Sequence, residues 1–177
     1  RKDPGKHPLS TPTGKIELFS KPLFDMKQPG EIPAVPKYIT EWESPFGSEA
    51  EKYPLQAIGH HYMPRVHSTH DNNEMTMNAF PQKVYINETD AGKRNIRNGD
   101  MVRVWNDRGA LVAKCKVTSK ILPGVIDIPQ GAWYNPGEDG TDFGGNINIL
   151  TTERWTPLAK GNPQHTIMVQ VEKYRKG

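Results

Sequence analysis

The segment with the greatest capacity for chemistry is Gly59–His70, which reads GHHYMPRVHSTH. It holds four of the six histidines and one arginine, and no Asp or Glu occurs between Lys52 and His70. Pro64 argues against a helix through this cluster. If the segment is extended, alternate side chains share one face. Those side chains are His61, Met63, Arg65, His67 and Thr69.

Guanidinium, imidazole and hydroxyl groups can all donate hydrogen bonds to phosphate oxygens. On a face without carboxylates they favour a phosphate or pyrophosphate site, and we expect Arg65, His67 and Ser68 to form an exposed basic concavity. A solvated polar loop is one alternative. A zinc site is another, although such sites usually include a carboxylate or cysteine, or histidines at helical spacing.

Cys115 is the only cysteine, which excludes an internal disulfide and any multi-cysteine metal site within these 177 residues. It alternates with Ala113 and Val117 on the apolar face of a predicted strand. Free cysteine is commonly buried. We therefore predict a core thiol rather than a nucleophile or a molybdenum ligand.

Three polar loops follow the middle of the chain. Gly131–Gly137 carries two aromatic residues and either lines a ligand cleft or caps the end of a barrel. Gly144–Thr152 opens with a glycine pair that permits close backbone approach. Its amide side chains are able to read the edge of a base, but the local pattern favours a β-bulge that enters a strand. The third loop, Leu158–His165, precedes the last strand.

The residue pattern of the second half of the chain is typical of short strands. One small helix is predicted over Thr89–Ile96, with Asn87 or Thr89 as its cap candidate. The turn residues Asn106–Gly109 predict a tight hairpin between two strands. The predicted strands are Lys83–Asn87, Met101–Asn106, Ala110–Thr118, Val125–Pro129, Asn146–Thr152 and Thr166–Tyr174. We predict a mainly β chain whose six strands close into a barrel over about residues 80–175, because closure removes edge strands.

Residues 1–56 are predicted to be an irregular arm, because their nine prolines forbid long helices and central strands. A short extended piece is expected at Lys15–Phe19. The arm holds too many large apolar residues for a free linker, so we expect it to pack on the barrel at 57–177 or on a missing domain. The chain begins at Arg1 rather than at methionine, and we expect it to belong to a longer protein.

Several motifs, taken in order, resemble the C-terminal domain of the molybdopterin oxidoreductases of the dimethyl sulfoxide reductase family. Within that family the resemblance is to the anaerobic dimethyl sulfoxide reductases and their selenate-reductase-like relatives. The motifs are Thr11–Glu17, Arg65–Ser68, Asp90–Val104, Asn106–Gly109, Pro123–Val125, Gly131–Tyr134, Asn148–Thr151 and Leu158–Asn162.

The resemblance implies a double-psi β-barrel that covers bis(molybdopterin guanine dinucleotide) and contacts mainly one of its two halves. Asn148, with Gln164 or His165, would meet the guanosine or the pterin edge. The molybdenum ligand and any iron–sulfur cysteines would lie in an earlier domain. The residues that would meet the pterin and the pyrophosphate are Arg65, His67, Ser68, Thr69 and His70.

The resemblance also implies a whole enzyme that reduces an S- or N-oxide, such as dimethyl sulfoxide, or an oxyanion such as selenate, in anaerobic respiration. This chain alone would be inactive. Its partners would be the remaining domains of the same subunit, an iron–sulfur electron-transfer subunit and a membrane anchor subunit. The location would be the periplasmic side of the bacterial cytoplasmic membrane.

Two other function classes compete with this interpretation. One is a stand-alone β-barrel that binds single-stranded nucleic acid, but the predicted strands carry few aromatic residues for base stacking, and the net charge of +3 is small. Those aromatic residues are Tyr85, Trp105 and Tyr174. The other is a zinc hydrolase built on the histidine cluster.

Overall fold

The computed structural model describes residue 3 and residues 5–175 of the chain. Within that part, six strands form one closed barrel in the order β1-β5-β2-β4-β3-β6. The strands are β1 Leu55–Ile58, β2 Lys83–Ile86, β3 Met101–Trp105, β4 Ala110–Val117, β5 Val125–Asp127 and β6 Ile167–Lys173. The helices are α1 Lys21–Asp25, α2 Glu74–Ala79 and α3 Glu88–Lys93, with 3-10 helices at Ser48–Glu51 and Ile147–Leu150.

The described residues form two compact units, one of residues 3 and 5–40 with 157–160 and the other of residues 41–156 with 161–175. In the first unit, α1 follows Ser20 and places Pro22 in its first turn, where a missing N–H costs nothing. In residues 3 and 5–47, α1 is the only regular element, which confirms a largely irregular N-terminal region. The predicted packing of the arm and the boundary at 56/57 stay predictions.

Strand directions place the polar loops together. β1 pairs in parallel with β5, β2 pairs in parallel with β4, and the other four pairings are antiparallel. Therefore β1, β3 and β5 end where β2, β4 and β6 begin. We call this side of the barrel the loop end. It carries the connections 59–82, 106–109, 128–156 and 161–166.

The core lies inside the barrel, and burial follows the predicted alternation in the second halves of β4 and β6. In β4, Leu111 and Cys115 are buried while Lys114 and Lys116 are exposed. In β6, the three predicted inward residues are also buried in the same apolar cluster. Those three residues are Ile167, Val169 and Val171. The face assignments of both strands are therefore confirmed.

The predicted strand at Asn146–Thr152 is wrong. The 3-10 helix Ile147–Leu150 occupies this stretch, and the Asn146 side chain accepts a hydrogen bond from the Asn148 backbone N–H at 3.0 Å. An asparagine that bonds its own downstream backbone competes with a strand ladder. The other five predicted strands are confirmed, each within two residues at its ends.

The remaining strand of the barrel is β1, which was not predicted from the sequence. Its four residues lie between Pro54 and Gly59, too few to establish an alternation. The barrel therefore begins at Leu55 rather than near residue 80. At Lys15–Phe19 the expected extended piece is absent, because the Thr11 hydroxyl donates to the Lys15 carbonyl at 2.6 Å and closes a turn.

The predicted helix at Thr89–Ile96 is present as α3, Glu88–Lys93. Asn87 is its cap, since its side chain accepts from the Thr89 N–H at 2.8 Å. The helix ends early because Asn95 adopts a left-handed backbone with φ 55°. Among the described residues no helix is both long and apolar enough to cross a membrane.

Cys115 is expected to react slowly with thiol reagents in the folded chain. Its side chain is buried, and burial raises the pKa of Cys115 from 9.0 to about 12. The thiolate is the reactive form, so at pH 8 its population falls about a thousandfold. Labelling with a chromogenic disulfide reagent should be at least about a hundredfold slower than in guanidinium chloride. Equal rates would contradict the placement of β4.

Candidate functional site

Arg65 lies in a buried cluster rather than on an open face. Its Nη1 donates to the Asp71 carboxylate, and its Nη2 donates to Gln82 Oε1 at 2.6 Å. Its guanidinium carbon lies 4.9 Å from the centre of the Tyr62 ring. The expectation that Arg65 is exposed and has no carboxylate nearby is therefore wrong. Asp71 lies just beyond the acid-free stretch of sequence and folds back onto Arg65.

The histidine segment is a turn, not an extended strand. The Val66 and Thr69 backbones bond each other, at 3.3 Å and 2.9 Å, and His67 between them has φ 53°. The expected sharing of one face by alternate residues is therefore wrong. Arg65 is buried whereas Met63 is 80% exposed.

The turn presents its donors to solvent. We call His67–His70 the donor turn; all four of its residues are exposed. His70 also has a left-handed backbone, with φ 75°. The His61 ring approaches the His67 ring with centroids 5.2 Å apart. Four of the five residues predicted to meet the pyrophosphate therefore form one exposed surface.

The aromatic loop after β5 packs against the donor turn. The Trp133 N–H donates to Asp71 Oδ2 at 2.6 Å, and its indole Nε1–H donates to the Ser68 carbonyl at 2.8 Å. Gly131 has φ 90°, and a Cβ there would lie 1.8 Å from the His67 carbonyl oxygen. The loop supports the donor turn, with the Trp133 side chain half exposed.

Gln82, just before β2, connects further segments. Its Nε2 donates to the Pro129 carbonyl at 2.8 Å and to the Gly145 carbonyl at 3.0 Å. A Cβ on Gly145 would lie 2.6 Å from Gln82 Cγ, so glycine is required for this approach. The amide therefore holds two connections of the loop end together, 59–82 and 128–156.

A second polar group includes the other predicted site residues. Gln164 Nε2 donates to Asn148 Oδ1 at 2.9 Å, which brings two predicted residues together. His165 Nδ1 accepts from the Gly59 N–H at 3.4 Å, and its carbonyl accepts from Gln56 Nε2 at 2.7 Å. His165 is therefore hydrogen-bonded to Gly59, the first residue of the histidine segment.

The two polar groups are connected through Gly59. A Cβ on Gly59 would lie 3.2 Å from Ile147 Cδ1, in the 3-10 helix that carries Asn148. The same segment leads through His60 into the donor turn. Both groups therefore lie at the loop end.

A hydrogen-bonded histidine–carboxylate pair at the loop end was not predicted from the sequence. His60 Nδ1 lies 2.5 Å from Asp127 Oδ2, and the His60 N–H donates to Asp127 Oδ1 at 3.3 Å. Burial raises the pKa of Asp127, and His60 partly opposes that rise. His60 belongs to the recognised cluster, but Asp127 ends an apolar strand and gave no signal.

Asp142 is the second missed residue. It is fully buried, and its carboxylate accepts three backbone N–H groups, from Asn135 at 2.7 Å, Gly144 at 2.9 Å and Asn146 at 2.6 Å. It thus shapes the connection between β5 and the 3-10 helix. In residue 3 and residues 5–175, no three His, Cys, Asp or Glu side chains form a group that could hold a metal ion.

The fold and the loop end together define a class of cofactor-binding domain. The chain belongs to the family described as Molydopterin dinucleotide binding domain, whose model matches residues 55–168. That range contains all eight predicted site residues. The match favours cofactor binding over the nucleic-acid alternative.

The relatives are named as reductases. The chain is 48% identical to dimethyl sulfoxide reductase DmsA of Escherichia coli, over 98% of the chain and 22% of the relative. It is 38% identical to the dimethyl sulfoxide/trimethylamine N-oxide reductase of Cereibacter sphaeroides, with the same coverage. The chain thus spans about a fifth of the length of these relatives.

The solved structure of acetylene hydratase from Pelobacter acetylenicus shares the fold. Its TM-score is 0.76 at 22% sequence identity, over 97% of this chain and 25% of that one. At this identity the likeness concerns the fold alone. The predicted double-psi β-barrel class is confirmed.

The residues present fit a molybdopterin dinucleotide by the chemistry of their donors. The donor turn offers imidazole and hydroxyl groups and no carboxylate. The nearest acid, Asp71, is already engaged by Arg65 and the Trp133 N–H. The Asn148–Gln164 amide pair offers donors and acceptors of the kind that a purine edge requires.

Proposed function

We propose that this chain is the C-terminal, cofactor-covering domain of a molybdenum oxidoreductase, and that it binds bis(molybdopterin guanine dinucleotide). The observation that carries the proposal is the gathering of both polar groups at the loop end, within the residues that match the family.

Each group has a separate part in the proposal. The donor turn would bind the pyrophosphate and the pterin, whereas Asn148, Gln164 and His165 would bind the guanosine or the pterin edge. Arg65 would act indirectly, because its side chain has no exposed surface. When bound, the molybdenum and its dithiolenes supply two-electron redox chemistry. The residues of this chain orient the dinucleotide and exclude water.

For the whole protein we propose reduction of an S- or N-oxide, with dimethyl sulfoxide as the first candidate and selenate as the next. The names of the relatives support a sulfoxide or an N-oxide. Its partners would be the remaining domains of the subunit, an iron–sulfur subunit and a membrane anchor subunit. The proposed location is the periplasmic side of the bacterial cytoplasmic membrane. Any iron–sulfur cluster and the molybdenum ligand would lie outside this chain.

Nucleotide release tests the cofactor. Full-length protein that contains this chain, purified from anaerobic cells, is hydrolysed in acid and its nucleotides are separated by chromatography. We expect guanosine monophosphate in twofold molar ratio to molybdenum, because each pterin carries one guanosine. Cytidine monophosphate, or no nucleotide, would refute the guanine assignment.

The same preparation tests the substrate. Reduced viologen is supplied as electron donor, and its oxidation is followed with dimethyl sulfoxide, trimethylamine N-oxide or selenate. We expect the highest kcat/KM with dimethyl sulfoxide. A preference for selenate would make selenate the substrate in place of dimethyl sulfoxide. No turnover with any of the three compounds would refute the proposed reductase activity. The 177-residue chain alone is the inactive control.

A further inference from the structure

The surroundings of Arg65 leave no place for an anion on its guanidinium. The side chain has 0% exposure, its two terminal nitrogens are occupied by Asp71 and Gln82, and Tyr62 covers one face. Its Nε is buried and has no hydrogen-bond partner. A phosphate could reach Arg65 only if the cluster opened.

Asp71 connects Arg65 to the donor turn through hydrogen bonds. One carboxylate oxygen receives Arg65, and the other accepts the Trp133 N–H at 2.6 Å. The indole of Trp133 then donates to the Ser68 carbonyl at 2.8 Å. The guanidinium is therefore joined to the donor turn through two intermediate residues.

Gln82 extends the same connection to the strands. It accepts from Arg65 and donates to the carbonyls of Pro129 and Gly145. Because Gln82 directly precedes β2, the cluster is attached to a rigid element. Groups held on rigid elements position a binding site better than groups held only by a loop.

We infer that Arg65, Asp71 and Gln82 are positioning residues that hold the donor turn in its binding shape. In this inference the charge of Arg65 acts on Asp71 and not on the cofactor phosphate. The inference rests on the proposed function, since it takes the donor turn to be the cofactor contact. Asp71 and Gln82 were absent from the sequence-based site.

The two possible roles of Arg65 predict opposite effects of one substitution. If Arg65 bound phosphate directly, Asp71→Asn would remove a competing anion and strengthen cofactor retention. If Arg65 acts through Asp71, the same change breaks a buried pair, displaces the donor turn and weakens retention.

The experiment uses full-length protein with Arg65→Gln, Asp71→Asn or both. Guanosine monophosphate per protein is measured after gel filtration at several salt concentrations. We expect each single change to reduce retained nucleotide by about tenfold, as loss of a supporting contact does at other sites. The double variant should retain no less nucleotide than whichever single variant retains less. The salt dependence of retention should stay that of the wild type, since no phosphate contact is lost.

Asp90→Asn is the matched control for general destabilisation. Asp90 is also a buried carboxylate, and it accepts the Gly124 N–H at 2.6 Å at the other end of the barrel. This variant should melt at a lower temperature yet keep its nucleotide. If it loses nucleotide as the Asp71 variant does, positioning by the Arg65 cluster is refuted.

Arg65→Lys with hydrogen exchange covers the case in which Asp71→Asn does not fold. Lysine keeps the charge but cannot bond both Asp71 and Gln82 in a planar fork. We expect amides 66–70 to exchange about tenfold faster than in wild type, while α3 stays unchanged. Greater retention in Asp71→Asn, or loss of nucleotide in Arg65→Lys without faster exchange, would overturn the inference. Wild-type protein without nucleotide would instead refute the proposed function, and the inference with it.

Discussion

Gly131→Ala is expected to abolish cofactor retention by the full-length protein and to destabilise the chain by several kcal/mol. The new Cβ would lie 1.8 Å from the His67 carbonyl oxygen and 2.5 Å from the His67 carbonyl carbon. These are backbone atoms, so no side-chain rotation relieves the overlap. The donor turn must move away from the loop after β5.

The left-handed backbone of Gly131 adds a smaller cost, which a matched variant separates from the overlap. Gly140 has φ 78° in the same connection, and a Cβ there would meet nothing within 4 Å. Gly140→Ala should therefore cost only about 1–2 kcal/mol, the price of a left-handed non-glycine residue. Its cofactor content should equal that of the wild type.

Urea denaturation of the chain and nucleotide content of the full-length protein check both variants. The expected order of stability is wild type, then Gly140→Ala, then Gly131→Ala. Equal losses in the two variants would show that backbone conformation alone decides the outcome. Full nucleotide content in Gly131→Ala would show that the donor turn has no part in binding.

The parts of the fold that sequence predicted were those with a repeated local pattern. In the second halves of β4 and β6, over Ala113–Val117 and Val169–Glu172, side chains alternate between apolar and polar, so period and burial agree. Asn87 signalled the start of α3 because its cap bond reaches only two residues ahead. Local chemistry decided each of these features.

The parts that sequence did not predict depend on distant contacts or on very short pieces. β1 has four residues and is held by pairing with β5 and β6, which lie far along the chain. The stretch at Asn146 has the apolar residues of a strand, but its asparagine caps a 3-10 helix instead. Propensity is a weak guide where tertiary contacts decide.

The candidate site also divides into features set by local residue types and features set by distant contacts. Residue types in the histidine segment indicated an anion site, and the structure places four of those residues on one exposed turn. Sequence spacing could not identify the partner of Arg65, since Gln82 is 17 residues away and becomes a neighbour only through the barrel. The pairing of Asn148 with Gln164, 16 residues apart, likewise requires the closed fold.

Asp142→Ala is expected to destabilise the chain by about 3 kcal/mol or more. Its carboxylate accepts three backbone N–H groups, from Asn135, Gly144 and Asn146, and the residue has 0% exposure. Alanine would leave these donors without partners, at about 1–3 kcal/mol for each donor that stays buried. For a chain of this size, 3 kcal/mol corresponds to a fall of about 6–12 °C in Tm.

Asp139→Ala provides the comparison within the same connection. Asp139 is exposed, and its carboxylate accepts from the Thr141 N–H at 3.0 Å and from the Thr141 hydroxyl at 2.9 Å. Water can replace these bonds, so its Tm should fall by no more than about 2 °C. Calorimetry of both variants measures the difference. A loss in Asp142→Ala no larger than that in Asp139→Ala would mean that water or backbone rearrangement satisfies the three donors. In that case Asp142 would not be the residue that shapes the connection leading to Asn148.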